Sequence, residues 1–302
     1  MKKLLLFTAA VLLLNNAYSQ DQTLLNPNQS LIATNPSFAG SNGAFRNQLV
    51  ARSTNPFVSN NNAVYYNALD GYIKKLHGGL AVSVAMNSWG KGAYRNSEIN
   101  LVYAPIFECK ETGFKIIPSI QFTGLKREVD IESLTFQQWG SSSTIQTPKK
   151  TNLEVSAGLL FNYKNFYAGG TIFHINQPDV GAYGQSRLPA RFSFNASYSI
   201  PINQKTLINF ASIFTKQNNF NSLLFTANAI FVKHLILGLG YSYNDSGFLN
   251  LGYRSNYFSV NLGYDVVLSK LAGIRNGGCQ LALALSLHKK ADNATLKSFE
   301  KW

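Results

Sequence analysis

Few residues in this chain have the types and spacing that catalysis requires. The histidines are scattered without the spacing of metal ligands, at His77, His174, His234 and His288. The sequence contains neither a G-x-S-x-G nucleophile elbow nor a phosphate-binding loop. A membrane-embedded lipid hydrolase would need a serine or aspartate beside a histidine on an adjacent strand, and His174 and Ser197 fall on neighbouring predicted strands. We predict no catalytic residues, no cofactor and no metal, and a protein that is not an enzyme.

The elements that would position such residues are short strands with one apolar and one polar face. Between Arg191 and Pro201, the even-numbered residues are apolar or aromatic and the odd-numbered residues are serine or asparagine. Side chains in a strand point alternately to opposite faces, so the two sets lie on opposite sides. About fourteen such segments follow one another, near residues 44–53, 62–73, 77–88, 94–106, 113–125, 150–163, 165–177, 189–200, 205–217, 221–233, 235–244, 246–255, 257–269 and 278–289.

Residues 1–19 have the features of a cleavable export signal. Two lysines precede an apolar core at residues 4–14, and the mature chain is expected to begin near Gln20. No apolar run approaches the roughly 20 residues that a membrane helix needs. Repeated strands of about ten residues in an exported chain are typical of an integral outer-membrane β-barrel. A soluble β-sandwich, or several small sheets, is the alternative.

The composition fits a single barrel. The 302 residues are 45% hydrophobic and 13% aromatic, and their formal net charge is +13. Ordinary hydrophobicity is expected where alternate residues meet lipid, and many aromatics suit the girdles at the membrane interfaces. Because the chain is exported and lacks a nucleic-acid motif, we expect no nucleic acid as partner. We predict an irregular periplasmic lead-in at 20–43, an antiparallel all-β barrel at 44–290 and a polar tail at 291–302.

The connections between predicted strands alternate in length. Those after even-numbered strands are short, and the longest follow odd-numbered strands, at 126–149, 178–188 and 270–277. Outer-membrane barrels have short periplasmic turns and longer outer loops, so we predict that the barrel begins on the periplasmic side. This topology separates Cys109 from Cys279 by the height of the barrel, which is too far for a disulfide.

Five segments, in order along the chain, resemble motifs of the PorP/SprF family, outer-membrane proteins associated with type IX secretion in Bacteroidetes. Residues 35–41 (NPSFAGS) and 46–48 (RNQ) resemble the family's opening and its entry into the first strand. Residues 174–178 (HINQP) resemble a strand exit of the family, and 188–192 (LPARF) resemble the start of its next strand. Residues 264–271 (YDVVLSKL) resemble its C-terminal end.

Two positions depart from the family pattern. Ser37 stands where alanine is usual, and Gln280 stands where an acidic residue is common. We predict that the motif residues serve the structure or contact partners; they are Asn35, Pro36, Ala39, Gly40, Arg46, Asn47, Gln48, His174, Asn176, Gln177, Pro178, Leu188, Pro189, Tyr264 and Asp265.

The resemblance implies a function in surface-protein export. It implies a non-enzymatic outer-membrane component of type IX secretion or gliding motility that helps to secrete, receive or anchor surface cargo. The implied partners are outer-membrane lipid, cargo with a C-terminal targeting domain and periplasmic components of the secretion machinery. The alternative is an outer-membrane transporter or porin for small or hydrophobic solutes.

Lysines recur in the predicted periplasmic turns. Strand closure would gather Lys74, Lys75, Lys164 and Lys233 into a basic rim. Such a rim either meets the phospholipid headgroups of the inner leaflet or docks an anionic periplasmic partner. Both readings predict contacts that weaken with salt, because the screening length is about 8 Å at physiological ionic strength.

Overall fold

The computed structural model describes residues 24–56, 62–130, 148–181, 184–269, 272 and 277–287. These residues form the strands β1 (Arg46–Thr54), β2 (Asn62–Ile73), β3 (Gly78–Trp89), β4 (Tyr94–Pro105), β5 (Phe107–Cys109), β6 (Phe114–Val129), β7 (Lys149–Tyr163), β8 (Phe166–Phe173), β9 (Arg191–Pro201), β10 (Leu207–Gln217), β11 (Phe220–Phe231), β12 (Leu235–Ser242), β13 (Ser246–Arg254), β14 (Phe258–Val267) and β15 (Gly278–Ser286). A single α-helical turn covers Leu31–Thr34, and 3-10 turns cover Pro27–Gln29, Pro36–Phe38 and Lys74–Leu76. Among the described residues, no helix is long and apolar enough to cross a membrane.

The strands form one closed antiparallel barrel. Each strand pairs with its neighbours along the chain, and β1 closes the wall by pairing with β15 along its whole length. Both β4 and β5 pair with β6 in one continuous register, interrupted where Pro105 and Pro118 have no N–H to donate. Since β5 extends β4, the wall has fourteen strands, and the predicted barrel of about fourteen strands is confirmed.

The predicted alternation sets the two faces of the wall. On β9, Asn195 and Ser197 are 5% and 3% exposed, whereas Phe194 and Tyr198 are 56% and 51% exposed. Polar side chains therefore point into the lumen and apolar ones point outward. This arrangement is the reverse of that in a soluble protein and is suited to lipid.

An arginine on the outward face is expected to destabilise the barrel in lipid. Val82 lies on that face of β3 and is 48% exposed. Near the bilayer midplane, Val82→Arg should cost about 2–4 kcal/mol, because the charge leaves water. The free energy of unfolding from lipid vesicles, measured by denaturant titration, tests this expectation against Val82→Leu. Equal stability of the two variants would contradict the lipid-facing assignment.

The two ends of the barrel differ. One end, which we call the terminal rim, holds the start of β1, the end of β15 and the short turns after β2, β5, β7, β9, β11 and β13. The other end, the loop rim, holds the connections after β1, β3, β6, β8, β10, β12 and β14. Cys109 lies at the terminal rim, and Cys279 lies one residue into β15 from the loop rim. Both are free cysteines, at opposite ends as the predicted topology requires.

Residues 24–45, which we call the plug segment, run through the inside of the barrel to the terminal rim, where Phe45 is 46% exposed. The sequence predicts an irregular lead-in on the periplasmic side, and the structure corrects its place. Its hydrogen bonds reach inward-facing groups on strands all around the wall: β2, β6, β7, β9, β11, β13 and β15. A lead-in outside the barrel would satisfy its polar groups with water, whereas this one satisfies them with the lumen wall.

The predicted strand 165–177 is too long, because β8 ends at Phe173 and His174 takes a left-handed φ of 57°. That conformation turns the chain out of the sheet. The predicted signal at 1–19 and tail at 291–302 lie outside the described residues.

Candidate functional site in the plugged lumen

Asn35 anchors the middle of the plug segment to the wall. Its Nδ2 donates to Asn195 Oδ1 at 3.1 Å and to the Leu159 carbonyl at 3.4 Å. Gly158 and Gly169 leave room for it, since a Cβ at these positions would lie 2.6 and 2.8 Å from the Asn35 amide atoms. The motif asparagine therefore occupies a niche that two glycines of β7 and β8 create.

The next residues turn the plug segment towards β6. Pro36 holds the first position of the 3-10 turn, where no N–H donor is required. Asn35 Oδ1 accepts the Ser37 N–H at 2.9 Å, and Ser37 Oγ lies 2.9 Å from Ser119 Oγ. An alanine, usual here in the family, would leave Ser119 without this hydroxyl partner. The departure at Ser37 thus adds one wall contact.

An apolar core holds the plug segment against one side of the lumen. Phe38 is fully buried and packs edge-on to Tyr167, with ring centroids 5.1 Å apart. Burying such a side chain contributes about 1.5–3 kcal/mol. The cluster comprises Leu31, Ile32, Phe38, Ala39, Val50, Tyr66, Ala68, Ala81, Ala85, Val102, Ala104, Ile117, Leu160, Tyr167 and Ala282.

Gly40 seats the plug segment at the terminal-rim ends of β2 and β3. Its φ of 68° is one that glycine adopts without strain, and its N–H donates to Asp70 Oδ2 at 2.9 Å. The Ala39 carbonyl passes so close to Gly79 that a Cβ on Gly79 would lie 1.9 Å from its oxygen. Arg46 Nε and Nη2 donate to the two Asp70 oxygens at 2.9 and 3.1 Å. One buried carboxylate therefore joins the plug segment, β1 and β2.

The start of the plug segment binds amide side chains on the opposite wall. The Leu25 N–H donates to Gln280 Oε1 at 2.8 Å. Asn26 Nδ2 donates to Asn250 Oδ1 at 2.9 Å and to Asn228 Oδ1 at 3.2 Å. At Gln280, an amide supplies the acceptor where an acidic residue is common in the family that the sequence resembles. Sequence reasoning missed Asn26, Asn228 and Asn250.

Glycines alternate with these amides across the wall. A Cβ on Gly238 would lie 2.0 Å from Asn250 Oδ1 and 2.3 Å from Asn228 Oδ1. A Cβ on Gly263 would lie 3.0 Å from Leu25 Cδ2. The cross-strand register runs, from β11 to β1, through Asn228, Gly238, Asn250, Gly263, Gln280 and Arg52. We call this register row the amide belt.

The remaining motif residues of β1 divide between the two faces. Asn47 points outward and exchanges amide hydrogen bonds with Asn67 at 3.3 and 3.2 Å. Gln48 points into the lumen and is 4% exposed. Asn47 therefore strengthens the β1–β2 pair from outside, whereas Gln48 belongs to the lumen surface.

The HINQP motif closes an open edge of β7. His174 Nδ1 lies 2.8 Å from Glu154 Oε2, and both residues are buried. Beyond the end of β8, Asn176 replaces a strand: its Nδ2 donates to the Leu153 carbonyl at 2.7 Å and its Oδ1 accepts the Val155 N–H at 3.2 Å. An unpaired strand edge invites association with other chains, so this side chain protects the wall.

The LP motif fixes the return of the same loop. Gln177 takes a left-handed φ of 42°, and the Pro178 carbonyl accepts the Leu188 N–H at 2.9 Å. Leu188 is buried, and the Pro189 carbonyl accepts from Gln217 Nε2 at 3.3 Å. These residues therefore hold the loop over the wall and start β9 in register.

Asp179 clamps this loop to β7, and removing its charge should loosen the loop. The Lys150 ammonium, with the Ser186 and Gly181 N–H groups, lowers the pKa of Asp179 from 3.8 to about 2. The clamp is therefore complete above pH 3.8 and is lost as the pH falls through about 2.

At neutral pH, Asp179→Asn should speed trypsin cleavage after exposed Arg187. Cleavage is followed by mass spectrometry, and Glu128→Gln at the same rim is the control; equal rates in both variants would contradict the clamp.

Asp265 lies on β14, two residues beyond Gly263 of the amide belt towards the loop rim. Its carboxylate is fully buried and lies 3.4 Å from Arg52 Nη2. A Cβ on Gly278 would lie 2.7 Å from Asp265 Oδ1, so glycine is required beside it. Tyr264 points outward and is 40% exposed, as expected of an interfacial aromatic residue.

The four predicted rim lysines all lie in turns of the terminal rim. Lys74 and Lys75 form the turn after β2, Lys164 the turn after β7 and Lys233 the turn after β11. All four are exposed. The structure therefore gathers them at one end of the barrel, and their partners stay a prediction.

Two cavities lie on opposite sides of the plug segment. One, of about 190 Å³, faces the loop rim and is bounded on the plug side by Leu24, Leu25 and Ile32. The other, of about 130 Å³, faces the terminal rim and is bounded by Asn26 and Gln29. We call them the loop-side and the terminal-side cavity. The plug segment lies between them.

The structure does not assemble the hydrolase pair that neighbouring strands suggested. His174 follows the residue that pairs with Arg191, and Ser197 lies six residues farther along β9, about 20 Å away. The Ser197 hydroxyl instead accepts from Asn209 Nδ2 at 2.6 Å. Among the described residues, no group of three or more histidines, cysteines and carboxylates is placed to hold a metal.

Solved outer-membrane proteins resemble this chain in shape. Omp33 of Acinetobacter baumannii has a TM-score of 0.48 and 10% identity, covering 82% of this chain and 100% of its own. The CymD monoaromatic hydrocarbon channel has a TM-score of 0.45 and 10% identity, covering 87% and 92%. The KdgM porin in complex with disordered oligogalacturonate has a TM-score of 0.39 and 8% identity, covering 80% and 99%. These values are too low to assign a shared function.

The sequence itself identifies the family. No curated protein sequence matches the chain. A family profile described as "Type IX secretion system membrane protein PorP/SprF" matches residues 17–283, which include the barrel wall to within a few residues of its end. An integral outer-membrane location follows from the profile together with the lipid-facing barrel. The chain belongs to the PorP/SprF family of type IX secretion system membrane proteins.

Proposed function

We propose that this protein is a non-enzymatic, non-conducting component of type IX secretion or gliding that helps to secrete, receive or anchor surface cargo. The observation that carries the proposal is the plug segment. Its hydrogen bonds reach seven strands of the wall, so it fills the lumen instead of lining it. A barrel filled in this way offers its two rims to partners.

The two rims suit different partners. The short turns of the terminal rim would face the periplasmic machinery, and the long connections of the loop rim would face cargo with a C-terminal targeting domain. This orientation follows the usual pattern of outer-membrane barrels. The lysines of the terminal rim supply positive charge on the periplasmic side.

A transporter or porin for small or hydrophobic solutes is the second candidate. Such a protein needs a path through the lumen, and the two cavities of about 190 and 130 Å³ lie on opposite sides of the plug segment. Several buried hydrogen bonds would have to break together to join them, each leaving an unsatisfied polar group. This cost favours the role in secretion.

Deletion of the gene tests the proposed function. Proteins with a C-terminal targeting domain should fall in the surface fraction and accumulate in the periplasm, as measured by surface labelling and quantitative mass spectrometry. Complementation with the wild-type gene is the control. Unchanged surface cargo together with impaired uptake of a solute would instead establish a transporter.

Reversal of charge at the rim tests the side of contact. The combined Lys74→Glu, Lys75→Glu, Lys164→Glu and Lys233→Glu variant should insert normally and lose salt-sensitive pull-down of periplasmic secretion components. Unchanged pull-down by a correctly inserted variant would contradict docking and would indicate that the lysines contact phospholipid headgroups.

A further inference from the structure

The terminal-side cavity contains buried polar atoms that lack partners. These atoms are Asn228 Nδ2, Asn250 Nδ2, Gln29 Nε2, Arg254 Nη1 and Gln48 Oε1. Four of the five are donors. Asn228, Asn250 and Gln48 are 2%, 5% and 4% exposed, so bulk water does not reach them freely. Buried donors without acceptors are costly, and a ligand that supplies acceptors would remove that cost.

The orientation of the two asparagines follows from the plug segment. Asn26 Nδ2 donates to both Oδ1 atoms, at 3.2 Å for Asn228 and 2.9 Å for Asn250. Asn26 Oδ1 in turn accepts the Asn28 N–H at 3.1 Å, which fixes its own orientation. Both wall asparagines are therefore left with their Nδ2 donors unused. The plug segment thus orients the donors of the cavity.

Arg254 gives the terminal-side cavity an uncompensated positive charge. The guanidinium of Arg254 lines it, and no carboxylate of the described residues lines it with Arg254 or forms an ion pair with it. Arg254 Nε donates to the Lys233 carbonyl at 3.3 Å, and the Lys233 N–H donates to the Lys205 carbonyl at 3.0 Å. Arg46 also lines the cavity, with its charge compensated by Asp70. An anion entering this corner meets uncompensated positive charge.

We propose that the terminal-side cavity binds a carboxylate carried by an extended acidic peptide segment of a periplasmic partner. A carboxylate offers only acceptors, which matches the four unused donors, one of which belongs to Arg254. The lipid phosphate is the competing oxyanion, but phospholipid surrounds the outer wall and this cavity opens inside the lumen mouth. A peptide can enter the mouth from the periplasm. The inference rests on the proposed function for one point, the periplasmic orientation of the terminal rim.

The test uses the purified full-length protein in detergent micelles at low ionic strength. The probe is an end-blocked pentapeptide with two adjacent glutamates, and its counterpart carries glutamines. Isothermal titration calorimetry should show the glutamate peptide binding and the counterpart binding about tenfold more weakly or worse. That factor is about 1.4 kcal/mol, which is close to the lower limit for one hydrogen bond to a charged group. Inorganic phosphate, titrated separately, distinguishes a free oxyanion from a peptide.

Two variants locate the site, and one serves as control. Arg254→Gln removes the charge, and Gln48→Glu places a carboxylate in the cavity without altering Arg254. Each should weaken peptide binding about tenfold or more. Lys110→Gln removes one charge from the opposite side of the same rim and should change binding by less than about twofold. Heat-modifiable migration verifies that each variant is folded.

The outcomes separate clearly. Binding of phosphate without binding of the glutamate peptide would overturn the proposal, as would equal loss in Arg254→Gln and Lys110→Gln. Peptide binding measured by calorimetry does not depend on secretion. If the gene deletion left surface cargo unchanged, the proposed function would fail, but peptide binding would still support the cavity proposal. If the deletion reduced surface cargo but no peptide bound, the cavity proposal alone would fail.

Discussion

Replacement of Gly79 by valine is expected to dislodge the plug segment and open an ion path. The new Cβ would meet the Ala39 oxygen at 1.9 Å, the Ala39 carbonyl carbon at 2.3 Å and the Gly40 nitrogen at 2.7 Å. All three are backbone atoms, so no side-chain rotation relieves the clash. Overpacking typically costs about 1–3 kcal/mol, and here the plug segment can escape it by leaving its seat. Single-channel recording in planar bilayers should show higher conductance than the wild type.

Gly124 provides the matched control for this experiment. It also lies within a strand, and a Cβ there would have nothing within 4 Å. Gly124→Val should therefore keep the wild-type conductance. If Gly79→Val also kept it while remaining folded, the plug segment would not be what blocks the lumen.

Removal of the Asp70 carboxylate is expected to cause the largest loss of stability. Asp70 binds Arg46 through both oxygens and accepts the Gly40 N–H, and its side chain is fully buried. Asp70→Leu leaves the arginine charge buried and uncompensated, which typically costs about 3–5 kcal/mol. Denaturant unfolding from lipid vesicles measures this cost.

The double variant Arg46→Met with Asp70→Leu separates the buried charge from the lost plug contact. Stability should recover substantially, because well-packed apolar side chains often replace buried ion pairs without loss. The Gly40 N–H would still lack its acceptor, so conductance should remain above the wild-type value. No recovery in the double variant would show that packing, and not the unpaired charge, causes the loss.

The wall was predictable from sequence because lipid enforces a simple rule. Each wall strand must show an apolar outward parity, so alternation at residues 191–201 predicts both the strand and its faces. The same parity places Asp265 in the lumen. Alternation of apolar and polar residues cannot predict the early end of β8. There, the left-handed φ of His174 turns the chain out of the sheet, and the Asn176 side chain makes the hydrogen bonds that the expected strand would have made.

The plug segment escaped prediction for a different reason. Residues 24–45 have no period, and their partners lie far away along the chain: 202 residues from Asn26 to Asn228, and 160 from Asn35 to Asn195. Complementary amide pairs leave no local pattern in a sequence. A signal was present, since inward asparagines on β11 and β13 face inward glycines across the register. Such pairs indicate that something approaches the wall.

The pairing of the first and last wall strands sets an order on biogenesis. The Leu25–Gln280 hydrogen bond joins residues 255 positions apart, and Gln280 lies on β15, the strand that closes the wall against β1. The plug segment can therefore complete its contacts only when the last strand arrives. Contacts of such long sequence separation form late and slowly. Closure of the barrel wall and occlusion of the lumen by the plug segment therefore occur in one step. An assembly intermediate that lacks β15 has both an open wall and an unblocked lumen.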